Sequence, residues 1–185
     1  KLKIFVASDA LNLSTPMTFG VLNNQMVIFG VIHTGTEDNL NSYVLKDFGK
    51  DFSEKTLMSC KNVGGYHTAY DVALSPDGNY CSIIGSEAYN EKLTEKLFAK
   101  LFDGSWNEIY NKEILTTISS AKKRNNVLRC NNNGVSYIVK KDRVKNSNNY
   151  YLYTINKSGD ESHGDIRLKS RQIVDAEIAM NSSGS

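Results

Sequence analysis

Three histidines, three cysteines and five arginines carry most of the reactive potential of this 185-residue chain, and their spacing decides what chemistry they can support. His33, His67 and His163 stand apart from one another and from the cysteines, so no pair has the short, clustered spacing that metal ligands need. Cys60, Cys81 and Cys130 are odd in number and form no C-x-x-C; they read as buried thiols, with a single bridge as the alternative. No serine sits in G-x-S-x-G, no glycine-rich loop could cradle a phosphate, and the carboxylates are scattered rather than paired. No catalytic residue, metal or cofactor is therefore expected. Residues 122–145 hold eight Lys/Arg against Asp142 alone, with Tyr150, Tyr151 and Tyr153 following, a pattern that could serve as a nucleic-acid stripe. Strand alternation would place most of these cations on an outer, solvated face, so nucleic acid is not the expected partner.

The composition sets the frame for these side chains. A 40% hydrophobic content can build a core, and a net charge of +2 gives no field for a dedicated nucleic-acid or membrane-surface protein. The longest strongly apolar stretch, Met26 to Ile32, is far short of a membrane helix and contains Gly30. The chain opens at Lys1 with no signal-peptide apolar region, which reads as a processed or excised start. Sequons at Asn12, Asn156 and Asn181 are no more frequent than so Asn- and Ser-rich a composition gives by chance.

A loose repeat organises the chain. Phe19–Asn24, Val72–Gly78, Val127–Gly134 and Ile178–Gly184 each run from an apolar strand into an Asn/Asp/Ser/Gly turn, with 54, 56 and 50 residues separating Asn24, Gly78, Gly134 and Gly184. In this register Leu74, Cys130 and Met180 share one inward slot. A second β-rich run follows each turn at Gln25–Thr34, Asn79–Ser86 and Val135–Lys141. Third strands end in the turns Asp47-Phe-Gly49, Asp103-Gly104 and Asn156-Lys-Ser-Gly159, and a fourth strand closes each unit. Leu93, Leu97, Phe98 and Leu101 also fit helical spacing behind Asn90, but Asn41–Leu45 and Asn149–Tyr153 at the same place in the other repeats favour a strand. Four antiparallel strands repeated at this period predict an all-β β-propeller, with a β-sandwich as the alternative.

Particular turns carry a family resemblance. Ser75-Pro-Asp-Gly78 resembles the first hairpin of TolB-like and WD-repeat-like propellers, and Asp103-Gly-Ser-Trp106 looks like their third-to-fourth strand hairpin. Asp47-Phe-Gly-Lys-Asp-Phe52 is similar instead to the Asp-box of sialidases and sortilin-like propellers, with Leu45 where that box has Ser or Thr. The third repeat departs from both patterns, since Asn131–Gly134 replaces S-P-D-G and no tryptophan follows Gly159. The resemblance implies that Trp106 and Phe52 are core residues packed between neighbouring sheets. It also implies a periplasmic, cell-envelope or extracellular setting.

These readings divide residues 1–185 into approximate blades at 17–62, 66–119 and 124–173, with partial blades at 1–14 and 174–185. The expectation is a segment of a longer propeller that needs further blades or another chain to close its ring; the alternative is a composite fourth blade made from the two ends. Propellers usually bind on the face made by the connections after strands two and four, here near 33–41, 60–70, 86–96, 115–126 and 141–149. On those connections Tyr66, His67, Tyr70, Arg143 and Lys145 are the contact candidates. The expected function is a non-catalytic binding module or scaffold for a protein or glycan. The alternative is a sialidase-like domain that binds or hydrolyses glycans, but all five arginines fall after residue 123, so its carboxylate clamp would have to lie elsewhere.

Overall fold

A computed structural model of the chain describes residues 15–46, 51–61, 69–89, 94–116, 126–144, 147–166, 178–179 and 181. Among these residues every regular element is a strand. Sheet 1 consists of β1 (Thr15–Leu22), β2 (Gln25–His33), β3 (Glu37–Lys46) and β4 (Asp51–Lys61). Sheet 2 consists of β5 (Ala69–Leu74), β6 (Tyr80–Tyr89), β7 (Thr94–Asp103) and β8 (Glu108–Thr116). Sheet 3 consists of β9 (Asn126–Cys130), β10 (Ser136–Val144), β11 (Ser147–Ile155) and β12 (Glu161–Ile166). Each sheet is an antiparallel meander in chain order, and the three do not close into a ring. No described helix is long and apolar enough to cross a membrane.

The helical spacing around Leu97 resolves as β7, while residues 90–93 lie outside the described residues. Strands run further than the turn signals suggest: only 34–36 separate β2 from β3, and only 145–146 separate β10 from β11. Polar residues such as Glu37 to Asn39 and Lys140 to Arg143 resemble loop in composition, yet each continues a ladder whose apolar half is already in register.

Period-two alternation explains why the sheets stack. In β6, Cys81 and Ile83 turn toward sheet 1, where they meet Val27, Phe29, Leu40 and Met58. Ser82 and Ile84 turn the other way, and Ile84 joins Leu97, Leu101, Leu128 and Ile138 between sheets 2 and 3. Sheet 2 is therefore buried on both faces, as its run of buried residues from Cys81 to Gly85 requires. Leu74 and Cys130 do hold comparable inward positions, Leu74 against sheet 1 and Cys130 between sheets 2 and 3; Met180 lies outside the described residues. All three thiols are free and buried. Burial pushes Cys130 up to about 12 and Cys81 well above its ordinary value, so both are inert hydrophobes at neutral pH.

One turn device recurs with different residues. In Ser75–Tyr80 the Ser75 hydroxyl and the Asp77 carboxylate receive the N–H groups of Asn79 and Tyr80. Asp103 accepts from the N–H of Ser105 and Asn107 at 2.9 Å, Asn131 from Asn133 and Val135, and Asn156 from Asp160. Across the last strand pair Asp103 faces the Asn107 amide and Asn156 faces the Asp160 carboxylate, so acid and amide change places while the bond persists. The degenerate third repeat thus keeps its turns because one Asn side chain performs what Ser75 and Asp77 share.

Equivalent contacts join the sheets. Lys55 on β4 donates to the Trp106 carbonyl at 2.7 Å, and Lys112 on β8 donates to the Gly159 carbonyl at 3.0 Å. At the first hairpins Asn23 N–H donates to Gly78 O and Asp77 N–H to Asn132 Oδ1. Sheet 1 meets sheet 2 much as sheet 2 meets sheet 3, which is the blade-like feature of this array. Phe52 departs from the expectation. Its ring makes an edge contact with Tyr43, centroids 5.6 Å apart, on the face of sheet 1 turned away from sheet 2. Trp106 does lie between sheets 1 and 2, edge-on to Phe29 and Phe102, and is half-buried. The Asp47–Gly49 turn lies outside the described residues.

Candidate binding rim between the first two sheets

In a meander the turns after strands one and three share one end of the sheet, and the connections after strands two and four share the other. At that second end the ladder brings three chemically active residues into one row: His33 pairs with Asp38 across β2–β3, and Asp38 with Cys60 across β3–β4. Partners directly opposite one another project from the same face. His33 Nδ1 lies 2.8 Å from Asp38 Oδ1, with Asp38 fully buried and the imidazole 27% exposed. The three-residue connection 34–36 between β2 and β3 is pinned by Thr34, whose hydroxyl receives the Glu37 N–H at 2.9 Å and donates to the Glu37 carbonyl at 2.7 Å.

Sheet 2 closes the site from the other side. Tyr70 on β5 donates its hydroxyl to the backbone carbonyl of Asp38. Burial, reinforced by Cys60 and Asp38 nearby, pushes the Tyr70 phenol far above its ordinary value, so it remains a neutral donor. Gly85 pairs with Tyr70 in the β5–β6 ladder and presents bare backbone to Met58, Tyr70 and Cys60. A Cβ there would stand 2.6 Å from Met58 Sδ and 2.9 Å from Tyr70 Cε1, so glycine is what lets these side chains converge.

The sequence candidates separate on this framework. Tyr70 belongs to a strand and spends its hydroxyl on the sheet 1–sheet 2 joint. Arg143 also lies on a strand, opposite Asn148 near the β10–β11 connection, at the same end of its sheet as His33 in sheet 1. Tyr66, His67 and Lys145 lie outside the described residues. Sequence reasoning passed over His33, Asp38 and Cys60 as isolated. A histidine and an aspartate five apart around Thr-Gly-Thr-Glu would have signalled the pair, because a short antiparallel connection sets such positions face to face.

Chemically, a buried carboxylate on Nδ1 fixes the orientation of the imidazole. That suits an oriented hydrogen-bonding contact at a rim. Among the described residues no three His, Cys, Asp or Glu side chains group so as to hold a metal ion. Some other buried polar groups join one sheet to the next. Ser136 Oγ lies 2.7 Å from both Ser82 Oγ and Tyr110 Oη between sheets 2 and 3. Asp71 accepts the N–H of Leu128 on the next sheet at 3.0 Å. Burial raises Asp71 above the usual carboxylate range, with the Leu128 and Val72 N–H groups and Arg129 only partly offsetting it.

The molecule is an all-β array of repeated four-stranded antiparallel sheets. Neither a scan against protein-family models nor a search of curated proteins returns a match to it.

Proposed function

We propose that the chain is a non-catalytic, propeller-type binding module that holds its connection end rigid and offers it to a protein or glycan. The observation that carries this reading is the repetition of the same lysine-to-carbonyl and turn-to-turn contacts at both joints. Repeated joints of this kind fix one sheet against the next and lock the spacing of the connections, which is what a recognition surface built from several loops needs. Two further features fit. The described acids with lowered pKa, Asp77 and Asp103, are occupied in turns, and the most reactive-looking pair, His33–Asp38, lies at the end of sheet 1 that carries the β2–β3 connection. The TolB-like resemblance of the turns supports the same class of use.

The test is binding of the intact chain to a glycan microarray and to a peptide display library, with the best ligand then titrated by calorimetry and incubated with the protein to look for turnover. Saturable binding without product, weakened by Arg143→Ala and Lys145→Ala at unchanged melting temperature, is the expected result. Release of a cleaved or transferred product, or binding indifferent to both substitutions and to His33→Gln, would reject the reading.

A further inference from the structure

In the hairpin turns of sheets 2 and 3, glycine follows an acid or its amide at Asp77-Gly78, Asp103-Gly104 and Asn133-Gly134. Such a pair carries a chemistry of its own. The main-chain nitrogen that follows a side-chain carbonyl can attack it and close a five-membered imide, and glycine at that place has no Cβ to hinder the approach. Asn133 is the one asparagine of the chain that glycine follows.

Hydrogen bonding separates the three pairs. Asp77 Oδ1 receives the Ser75 hydroxyl at 2.6 Å and the Asn79 N–H at 3.1 Å, and Oδ2 receives the Asn79 side-chain amide at 2.8 Å. Asp103 is held by the Ser105 N–H and by both nitrogens of Asn107, each bond 2.9 Å long. Within Asn131-Asn132-Asn133, Asn131 takes the N–H groups of Asn133 and Val135 on its Oδ1, and Asn132 takes the Asp77 N–H at 3.0 Å. The Asn133 carboxamide is exposed and makes no hydrogen bond among the described residues. Of the three side chains it alone is able to swing back over its own main chain. One restraint opposes the attack. The Gly134 N–H donates to the Asn131 carbonyl at 3.0 Å, so the turn must open first, a local event that leaves the sheet folded.

We propose that Asn133–Gly134 is a site of spontaneous modification, and that its product loosens the joint between sheets 2 and 3. The Gly134 nitrogen loses its proton and bonds to Asn133 Cγ, the Cγ–Nδ2 bond breaks, and Nδ2 leaves as ammonia. Water then adds to either carbonyl of the imide. Opening on one side leaves aspartate at this position, and opening on the other leaves isoaspartate, with the main chain running through the side chain. Isoaspartate lengthens the main chain by one carbon inside a tight turn. Gly134 has φ +73°, and a Cβ on it would stand 3.3 Å from Leu101 Cδ2 and from Tyr80 Cδ1, so the added length has no slack to enter. The bonds from Gly134 and Val135 to Asn131 lose their register, and with them moves Asn132, which ties this turn to Asp77 of sheet 2.

The test is incubation of the intact chain in mildly alkaline buffer, followed by digestion at acid pH and peptide mapping by mass spectrometry. The peptide holding Asn133 should gain the mass that exchange of NH2 for OH gives and split into aspartate and isoaspartate forms. Peptides holding Asp77 and Asp103 should form isoaspartate at least about tenfold more slowly, because their hydrogen bonds must break first. Asn133→Gln should abolish the mass gain. The isoaspartate-containing protein, isolated by ion exchange, should melt roughly 2–4 °C below Asn133→Asp, which has the same charge on an unlengthened main chain. An unmodified Asn133, or isoaspartate forming equally fast at Asp77 or Asp103, would overturn the site. Melting indistinguishable from that of Asn133→Asp would overturn its effect on the joint. These turns lie at the opposite end of the sheets from the connection end, so neither result bears on the proposed function.

Discussion

Trp106 occupies a position that the third sheet gives to glycine, and the exchange makes a sharp test of how the turns and the core share the same residues. Trp106 has φ +65°, and Gly159, at the matching place in the Asn156–Asp160 turn, has φ +83°. Both carbonyls receive the lysine of the preceding sheet, so the backbone conformation is set by the joint rather than by the side chain. A bulky residue in the left-handed region costs about 1–2 kcal/mol. The indole offsets this by packing edge-on against Phe29 and Phe102, with centroids 6.3 and 6.2 Å away. A fully buried Trp→Ala change costs about 3–5 kcal/mol; half-burial puts the loss here at roughly 2–3 kcal/mol. Trp106→Ala removes the ring and keeps the backbone strain, whereas Trp106→Gly removes both. The glycine variant should therefore be the more stable of the two, by about 1 kcal/mol, although glycine normally ranks below alanine within structured segments. The mirror substitution Gly159→Ala should destabilise by about 1 kcal/mol or more, since alanine would be forced to positive φ. Urea unfolding followed by tryptophan-independent circular dichroism measures all three. If Trp106→Ala equals or exceeds Trp106→Gly in midpoint, the left-handed conformation is not imposed by the joint, and the argument fails.

Other consequences can be checked in the same unfolding assay. His33→Ala removes the hydrogen bond to the Asp38 carboxylate and should cost about 1.5–3 kcal/mol; adding Asp38→Asn should recover part of that loss, whereas a merely additive double variant would count against the pair. Gly85→Ala should destabilise by about 1–3 kcal/mol through overpacking against Met58, Tyr70 and Cys60, and Tyr70→Phe in the same background should relieve little, because the ring and not the hydroxyl is in the way. The pH dependence has a definite sign. Burial pushes Asp77 and Asp103 up, but the Ser75 hydroxyl and Asn79 groups around Asp77, and the Asn107 and Ser105 groups around Asp103, outweigh it and hold both carboxyls below the ordinary value. Their stabilisation is present above the unfolded carboxylate value of about 3.9 and is lost as pH falls through the lowered folded values. Asp71 runs the opposite way, its burial penalty easing as pH falls through its raised value. The double variant Asp77→Asn, Asp103→Asn should flatten the acid limb of the stability curve; an unchanged limb would assign acid unfolding to other groups.

What the sequence disclosed divides along physical lines. Turn chemistry is local, so Ser75-Pro-Asp-Gly78 and Asp103-Gly-Ser-Trp106 announce their hairpins in four residues, and the β-rich run Asn79–Ser86 announces the strand that follows. Four-stranded units follow from those two signals together. The rim was less legible because its contacts join residues chosen by sheet packing: Tyr70 finds the Asp38 carbonyl from the neighbouring sheet, and nothing in either local sequence names the other. Composition alone puts Arg143 in a loop, because polar residues near a strand end look the same whether or not the ladder continues, and only the pairing with Asn148 decides it. Trp106 shows the deepest limit. Its place in D-G-x-W marks the turn correctly, yet the residue type argues against the positive φ it adopts, and the conflict dissolves only when Lys55 of one sheet and Phe29 and Phe102 on either side of the joint are seen to act on it at once. A repeat protein of this kind writes its turns into each unit but writes its joints across two, so the side chains that fix one sheet on the next are the ones a single repeat cannot reveal.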